Sequence, residues 1–262
     1  MRINGSIIGS VVTSSVSSAI GIWGLQNVEL ANRLNIWPAQ IVTSGLVLFL
    51  DASNIDSYPG TGTTWKDLSG NNNNGTLTNG PTFSSANGGS IVFDGTNDNV
   101  KLGNASTFLP TSAITMNCWA KTNVTGVYKK LFVTVTAGGG PANTTGIYWS
   151  LGSSPYLYYV GVITNNGTVG VLSTATISTS LYTNFCFTYD GSTIKLYLNA
   201  SLLGSAAHTG TINNSGIGRI SGYDNNNESW NGNISTFSIY NRALTATEVL
   251  QNYNSTKSRF GL

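Results

Sequence analysis

The strongest constraint on the fold is an alternation of apolar and polar residues with period two, which recurs in short runs from Ile41 to Tyr240. Successive side chains of a β-strand point to opposite faces, so this pattern predicts strands with one face in a core. The clearest case is a hairpin in which Asn184–Tyr189 and Ile194–Asn199 flank the turn Asp190-Gly191. The pattern therefore predicts antiparallel β-structure.

Turn-forming residues separate further runs of the same kind. The other predicted strands are Ser44–Asp51, Ser90–Asp94, Asn99–Leu102, Ala113–Lys121, Lys130–Thr136, Ile147–Leu151, Tyr156–Ile163, Val169–Ser173, Gly216–Ile220 and Gly232–Tyr240. Residues Gly60–Pro81 are predicted to form a long polar loop, because runs of Asn and Gly do not support a ladder. Many short strands separated by turns predict an all-β, two-sheet jelly-roll sandwich.

Both ends of the chain differ from this pattern. Thr245 and Glu248 form a capping box ahead of apolar residues at helical spacing, which predicts one C-terminal helix. The first 40 residues contain a Ser/Val/Ile-rich stretch and a plausible short helix over Leu25–Asn35. This segment is too short to hold its own core. Residues 1–40 either pack on the main domain, which is predicted to span residues 41–262, or form a docking arm that pairs with another subunit or particle. We predict the docking arm.

Charge composition narrows the function classes. Charged residues make up 8% of the 262 residues and the formal net charge is +2, whereas about 25% is typical. Such a chain lacks the dense basic patch that binds nucleic acid, so we expect no nucleic-acid partner. No apolar run reaches the roughly 20 residues of a membrane span, so no membrane insertion is expected. The single histidine, His208, excludes a multi-histidine metal centre, and we expect it at the surface.

Several stretches, taken in order, resemble concanavalin A-like jelly-roll domains of the laminin-G/pentraxin type. They are Leu46–Asp51, Trp65–Gly70, Ile91–Asp98, Ile114–Trp119, Phe187–Gly191, Ile194–Asn199 and Gly232–Leu244. The resemblance covers about residues 44–255 and implies the jelly-roll fold. It says less about function, because this fold carries lectins, adhesion modules and glycanases alike.

The resemblance also implies a calcium site. In pentraxin-like relatives an Asp-Asn pair at the position of Asp98-Asn99 binds calcium, with further ligands from a loop that here offers Asp224 and Glu228. Calcium takes about 6–8 oxygen ligands, which carboxylates, amides and carbonyls could supply. The alternative is that Asp98 and Asn99 cap a turn and that the loop is merely solvated.

The same resemblance implies that Cys118 and Cys186 lie on neighbouring strands, where pentraxin-like relatives have a disulfide. We therefore expect their Cα atoms within about 7 Å, the reach of a disulfide. Whether the two thiols are oxidised stays open, because a protein assembled in a cytosol begins with both reduced.

Exposed aromatic side chains are candidates for stacking on sugar rings. The aromatic residues considered are Trp65, Tyr148, Trp149, Tyr156, Tyr158, Tyr159, Tyr223 and Trp230. Strand aromatics are more often core than platform. Tyr223 and Trp230 bracket the polar loop, so they are expected to be the exposed ones. The predicted carbohydrate site is Tyr223, Asn225 and Trp230.

A second resemblance concerns the chain ends. Residues from Gly21 to Pro38 resemble the leading segment of structural proteins of tailed phages, and Leu250–Leu262 is similar to the endings of jelly-roll proteins in the same particles. The favoured hypothesis is a non-enzymatic virion accessory protein, a fibre or decoration subunit. It would dock to other virion proteins through residues 1–40, form a homo-oligomer and display a glycan-binding jelly roll. The alternatives are a free secreted or surface lectin and, with less support, a glycan hydrolase.

Overall fold

The computed structural model describes residues 40–136, 141–152, 158–173, 175, 177–223 and 228–262. Within these ranges the strands are β1 (Leu46–Asp51), β2 (Thr64–Trp65), β3 (Gly75–Thr78), β4 (Thr82–Ser84), β5 (Ser90–Asp94), β6 (Asn99–Asn104), β7 (Ile114–Thr122), β8 (Lys129–Val135), β9 (Thr144–Leu151), β10 (Tyr158–Thr164), β11 (Gly167–Ser173), β12 (Thr183–Tyr189), β13 (Thr193–Leu198), β14 (Ser201–Ala207), β15 (Ile217–Ser221) and β16 (Asn231–Tyr240). The helices are α1 (Ala105–Phe108) and α2 (Ala246–Thr256), with 3-10 turns at Ala86–Gly88, Pro141–Asn143 and Lys257–Phe260. The predicted N-terminal helix and all but the last residue of the predicted arm lie outside the described residues.

The strands form two antiparallel sheets. The first sheet has the order β14-β13-β12-β7-β16-β5-β4, and β1 pairs with β16 beside this path. The second sheet has the order β11-β10-β9-β8-β15-β6-β3-β2. Neighbours such as β7 and β16 are far apart in sequence, as the crossing connections of a jelly roll require. The architecture confirms the predicted all-β, two-sheet jelly-roll sandwich.

The core lies between the inner faces of the two sheets. In β9 the alternating residues Ile147, Trp149 and Leu151 are buried in it. The Trp149 ring meets the edge of Phe187 from the first sheet, with the ring centroids 5.4 Å apart and the planes at 79°. Edge-to-face contact of this kind is a favoured arrangement of aromatic rings. The period-two pattern of the sequence therefore corresponds directly to the two faces of each sheet.

Helix α2 covers the outer face of the first sheet. The Thr245 backbone N–H donates to Glu248 Oε2 at 2.9 Å, and Glu248 N–H donates to Thr245 Oγ1 at 3.3 Å, so the predicted capping box is present. Val249 and Asn252 are buried against the sheet, where Asn252 Nδ2 donates to the Tyr240 hydroxyl at 3.0 Å. The predicted C-terminal helix is confirmed. None of the helices in the described ranges is long and apolar enough to cross a membrane.

The prediction of one long loop over Gly60–Pro81 was wrong. β2 and β3 lie inside this range, and β3 pairs with β6 at the end of the second sheet. Trp65 is buried in the main core. The Asp67 carboxylate organises the following turn by accepting hydrogen bonds from the backbone N–H groups of Phe49 and Ser69 at 2.9 and 2.8 Å. The pairing of β3 with β6, which the local Asn/Gly composition does not reveal, joins both short strands to the sheet, because β2 pairs in turn with β3.

The prediction that Cys118 and Cys186 lie on neighbouring strands is confirmed. β7 and β12 are neighbours, but Cys118 pairs with Phe185 and Cys186 pairs with Asn117, so the two cysteines are one residue out of register. Side chains one residue apart leave opposite faces of a sheet. Cys118 therefore lies in the main core, whereas Cys186 lies on the helix side, and both are buried free thiols.

Candidate functional site

The candidate site lies on the outer face of the second sheet, which α2 does not cover. In β9 and β10, Tyr148 and Tyr159 point outward, because their neighbours Trp149 and Tyr158 are buried in the core. The two outward hydroxyls lie 2.7 Å apart and form a hydrogen bond. The ring centroids are 5.3 Å apart. The two tyrosines thus form one connected aromatic surface.

Glycines on the next strands allow these rings to lie close against the sheet. Tyr148 pairs across the ladder with Gly161, which in turn pairs with Gly170. A Cβ atom at Gly161 would overlap the Tyr148 ring, and one at Gly170 would overlap the Tyr159 ring. The absence of a side chain at these two positions is therefore what gives the aromatic surface its shape.

A row of outward residues crosses the four neighbouring strands β8, β9, β10 and β11. Lys130 of β8 pairs with Ser150, Ser150 pairs with Tyr159, and Tyr159 pairs with Leu172 of β11. Leu172 is 55% exposed. The row changes in character from a cation at one end, through a hydroxyl and a phenol, to an apolar side chain at the other.

Lys130 is surrounded by aromatic rings and a carboxylate. Its Nζ lies 5.8, 5.7 and 5.9 Å from the ring centroids of Tyr128, Tyr148 and Tyr223. It also lies 3.3 Å from Glu228 Oε2. Distances of up to about 6 Å from a ring centroid allow cation–π attraction. The three rings and the carboxylate thus hold the Lys130 ammonium group in place.

These residues line two adjoining cavities, which together we call the tyrosine groove. One cavity of about 310 Å³ is lined by Tyr128, Lys130, Thr144, Tyr148, Tyr223 and Glu228. The other, of about 360 Å³, is lined by Tyr128, Lys130, Tyr148, Ser150, Gly152, Tyr159 and Leu172. Pockets for small ligands are typically about 300–1,000 Å³, mostly apolar with a few placed polar groups.

Two phenols of the groove, Tyr159 and Tyr223, have a pKa above the usual value for tyrosine. Burial, with the hydrogen bond to Tyr148, raises the pKa of Tyr159 well above its usual value. Burial also raises the pKa of Tyr223, whose hydroxyl lies 2.9 Å from Thr144 Oγ1. Each neutral phenol provides a hydrogen-bond donor, an acceptor and a flat apolar ring. This combination suits a ligand that is itself a ring with hydroxyl groups.

The structure corrects the expected exposure of two of the predicted carbohydrate residues. Trp230 is 0% exposed, its Nε1 donates to the Lys121 carbonyl at 3.2 Å, and its ring meets the edge of Phe185 in the core. It is therefore not a surface platform. Tyr223 is 1% exposed rather than open to solvent, although one side of it borders the tyrosine groove. Asn225 lies outside the described residues.

The turn predicted to bind calcium is well ordered by hydrogen bonds. Asp98 is buried and its Oδ2 accepts from the Asp94 N–H at 3.0 Å, while Asn99 Nδ2 donates to the Asn97 carbonyl at 3.0 Å. Asn99 pairs with Ser221, so this turn adjoins the start of the loop after β15. The expected proximity of turn and loop is therefore present, although Asp224 lies outside the described residues.

The charges around this turn affect how strongly it would bind a cation. Burial and the charge of Asp94 raise the pKa of Asp98, against the hydrogen bond from Asp94 N–H, which lowers it. A cation would stabilise this buried carboxylate. Lys129 lies close to this turn, since its Nζ donates to the Gly95 carbonyl at 2.8 Å, and its charge interacts with those of Asp94 and Glu228. Glu228, the other described carboxylate of the predicted set, is ion-paired with Lys130.

The expectation of a surface His208 was also wrong. His208 is buried, its Nε2 lies 3.2 Å from Thr164 Oγ1, and its ring centroid lies 6.0 Å from that of Tyr189. These contacts give the imidazole a structural place between the two sheets, because Thr164 and Tyr189 belong to different sheets.

Sequence reasoning named Tyr148 and Tyr159 among eight aromatics without selecting them, and it missed Tyr128, Lys130 and Ser150. A signal for the first pair was present. Tyr148 alternates with the inward Ile147 and Trp149, and glycines interrupt the two following strands. The contribution of Glu228 had no such signal, because it comes from a loop far along the chain from Lys130.

A family model for the concanavalin A-like lectin/glucanases superfamily matches residues 94–250, more than half of the chain. The chain belongs to the concanavalin A-like lectin/glucanases superfamily. No curated protein matches the sequence. The matched residues include β6 through β16, and therefore the strands that form the tyrosine groove of this superfamily member.

Solved structures share the fold of this superfamily member. The binding domain of Paraclostridial Mosquitocidal Protein 1 is similar with a TM-score of 0.64 and 19% identity, covering 80% of this chain and 52% of that one. The receptor binding domain of botulinum neurotoxin type G is similar with a TM-score of 0.58 and 18% identity, covering 80% of this chain and 51% of that one. Domain 4 of AbnA, a GH43 extracellular arabinanase from Geobacillus stearothermophilus, is similar with a TM-score of 0.59 and 17% identity. The match covers 80% of this chain and 98% of that domain. The chain thus spans about half the length of the two toxin domains and nearly all of the arabinanase domain.

Proposed function

We propose that this protein is a non-enzymatic carbohydrate-binding jelly-roll module whose binding site is the tyrosine groove. The observation that carries the proposal is the pair of tyrosines held against Gly161 and Gly170, with Ser150 and Lys130 beside them. Flat rings pack against the apolar faces of a sugar, and phenol and serine hydroxyls exchange hydrogen bonds with its hydroxyls.

Proteins of the same fold support this proposal. Domain 4 of the arabinanase was solved in complex with arabinotriose, and the type G neurotoxin domain is a receptor binding domain. Each is similar to this chain at under 20% identity, so the likeness bears on the fold and not on the ligand. The choice of a glycan rests on the groove of this chain.

The glycan hydrolase remains the less favoured candidate. A glycosidase needs two carboxyl groups about 5–10 Å apart on either side of the scissile bond. Of the residues described in the groove, Glu228 supplies a carboxylate, and Lys130 holds it in an ion pair. The arrangement favours binding over bond cleavage.

Truncating Tyr128 tests the proposal. This side chain is 51% exposed, so Tyr128→Ala should leave the fold intact. It should weaken glycan binding about tenfold, because an aromatic anchor is lost. The measurement is binding to an array of neutral, uronic-acid and sulfated oligosaccharides, followed by calorimetry on the best ligand.

The matched control is Leu181→Ala, which removes an apolar side chain that is 53% exposed and does not line the groove. It should bind as the wild type does. If the wild-type protein retains no oligosaccharide, or if Tyr128→Ala and Leu181→Ala bind equally well, the proposal is wrong.

The biological setting is a further part of the proposal. We place the module in a tailed-phage virion as a homo-oligomeric fibre or decoration subunit, with residues 1–40 as the arm that docks to other virion proteins. The support is the resemblance of the chain ends to such proteins. A free secreted or surface lectin is the alternative, and immunogold labelling of purified particles would separate the two.

Calcium between the Asp98-Asn99 turn and the loop that contains Asp224 and Glu228 stays a prediction. A ligand that binds only the folded state raises its stability by mass action. Calcium should therefore raise the melting temperature of the wild type and leave that of Asp98→Ala unchanged. Identical wild-type melting curves in calcium and in chelator would remove the site.

A further inference from the structure

We infer that the tyrosine groove takes a neutral oligosaccharide of at least two sugar units, and that Ser150 is the residue that selects one of its hydroxyl groups. This inference rests on the proposed function and narrows it to a ligand class and a specificity-determining residue. Three observations carry it: the charge balance of the groove, its division into two cavities and the state of the Ser150 hydroxyl.

The described lining of the groove is electrically neutral. Lys130 and Glu228 are its charged residues, and their charged atoms lie 3.3 Å apart. The next 59 residues of the sequence, Leu131–Tyr189, contain no Asp, Glu, Lys, Arg or His. Among the described lining residues, no basic side chain is thus left over to compensate a sugar carboxylate or sulfate.

An anionic sugar would face a cost at Lys130. To pair with the ammonium it would have to displace Glu228 and leave that carboxylate, whose side chain is partly shielded, beside a second negative charge. A cationic sugar would meet the Lys130 ammonium instead. A neutral sugar meets neither cost, so the fixed ion pair acts against both kinds of charged competitor.

The shape of the groove sets the minimum length of the ligand. The two cavities share Tyr128, Lys130 and Tyr148, so they are adjacent compartments of one groove. The compartment with Tyr159 and Leu172 is the more apolar end, and the one with Thr144 and Glu228 is the more polar end. A single sugar fills one compartment, whereas an oligosaccharide of two or more units occupies both.

Ser150 provides an unused hydrogen-bonding group in the compartment that contains Tyr159 and Leu172. The residue is 1% exposed, and its Oγ has no hydrogen-bond partner among the described residues. It borders the larger cavity between Lys130 and Tyr159. Buried polar groups are nearly always paired, so an unpaired one beside a cavity indicates a ligand group as the missing partner.

Matched oligosaccharides test the charge part. The probes are neutral hexose and pentose oligomers of one to six units and the uronic-acid oligomers of the same lengths, measured by calorimetry against the full chain. The wild type should bind neutral oligomers at least tenfold more tightly than acidic ones, and affinity should rise sharply from one unit to two or three. Glu228→Gln leaves the Lys130 charge uncompensated, so it should gain at least fivefold in affinity for the acidic oligomers.

Two serine variants test the selectivity part. Ser150→Ala should lower affinity about 2- to 10-fold, the effect of one hydrogen bond. It should not lower the melting temperature, because no hydrogen bond to the described residues is lost. Ser57→Ala is the matched control. Ser57 is equally buried, but its Oγ donates to the Lys66 carbonyl at 2.6 Å and accepts from Asp51 N–H at 3.2 Å. It should lower the melting temperature and leave affinity unchanged.

The outcomes separate this inference from the proposed function. Tighter wild-type binding of acidic oligomers, weakened by salt, would overturn the inference while glycan binding stands. Equal affinity for one unit and for three would overturn the two-compartment site. Unchanged affinity of Ser150→Ala would remove its selecting role. Failure of every oligomer, neutral and acidic, would overturn the proposed function and the inference with it.

Discussion

The two outer faces of the sandwich carry similar aromatic residues but differ in what covers them. On the first sheet, the Trp119 ring stacks on Phe260 and Tyr253, with centroids 4.4 and 5.5 Å away, beneath the C-terminal segment. On the second sheet, Tyr148 and Tyr159 lie over glycines, and no helix or strand of the described chain packs on them. The aromatic residues on the outer face of the first sheet are therefore packed under the C-terminal segment, whereas those on the second sheet line a groove.

The difference shows that aromatic content alone does not identify a binding face. Trp119 is fully buried, and its Nε1 donates to Thr256 Oγ1 at 2.7 Å, so the chain itself satisfies both its apolar and polar parts. In the tyrosine groove, Tyr128 and Leu172 keep about half of their surface exposed. What distinguishes a site is the aromatic surface that folding leaves uncovered.

Trp119→Ala should give the largest effect on stability. Removing a fully buried tryptophan costs about 3–5 kcal/mol, from lost apolar contact and from the cavity that remains. Chemical denaturation should show this loss, while glycan affinity of the folded fraction stays unchanged. Tyr128→Ala should show the reverse, with lost affinity and preserved stability. If Trp119→Ala also reduced affinity in the folded protein, the two faces would be coupled and the comparison would fail.

Glu248→Gln should weaken the covering helix by a smaller amount. The hydrogen bonds from Arg242 and then from the Thr245 backbone lower the pKa of Glu248 to about 2. A carboxyl with a lowered folded-state pKa stabilises the protein above its unfolded value, about 4.3, and that contribution is lost as pH falls through about 2.

The wild type should therefore be more stable than Glu248→Gln by about 1 kcal/mol at pH 7. The difference should shrink between pH 5 and pH 2. Urea denaturation at several pH values measures it, and a difference that stays constant down to pH 2 would show that the carboxylate charge plays no part.

Treatment of the two cysteines with a reducing agent should have no effect on stability. Burial raises the pKa of both thiols, so neither is a ready thiolate. Because they face opposite sides of the first sheet, a reducing agent should leave the melting temperature unchanged. Two thiols should react with a thiol reagent in denaturant without prior reduction. If reduction were needed to detect them, the register of β7 and β12 would be wrong.

Much of the fold was predictable because local pattern and global architecture agree. The alternation predicted a strand over Ile147–Leu151, which lies within β9, and the capping box placed the start of α2 correctly. The short strands β2 and β3 were not predictable, because β2 pairs with β3 and β3 pairs with β6, whose residues are distant in sequence. Trp230 was misjudged for a similar reason. Its position beside a polar loop suggested exposure, but the two sheets close around it.

The sequence by itself determined the period of each strand, the helix cap and the neutral surface, since these depend on residue type and local spacing. Only the tertiary structure decided which outer face α2 covers, which cation meets Glu228, and on which face each cysteine lies. The physical reason is register. A slip of one residue moves every side chain of a strand to the other face, and the partners that fix the register come from elsewhere in the chain.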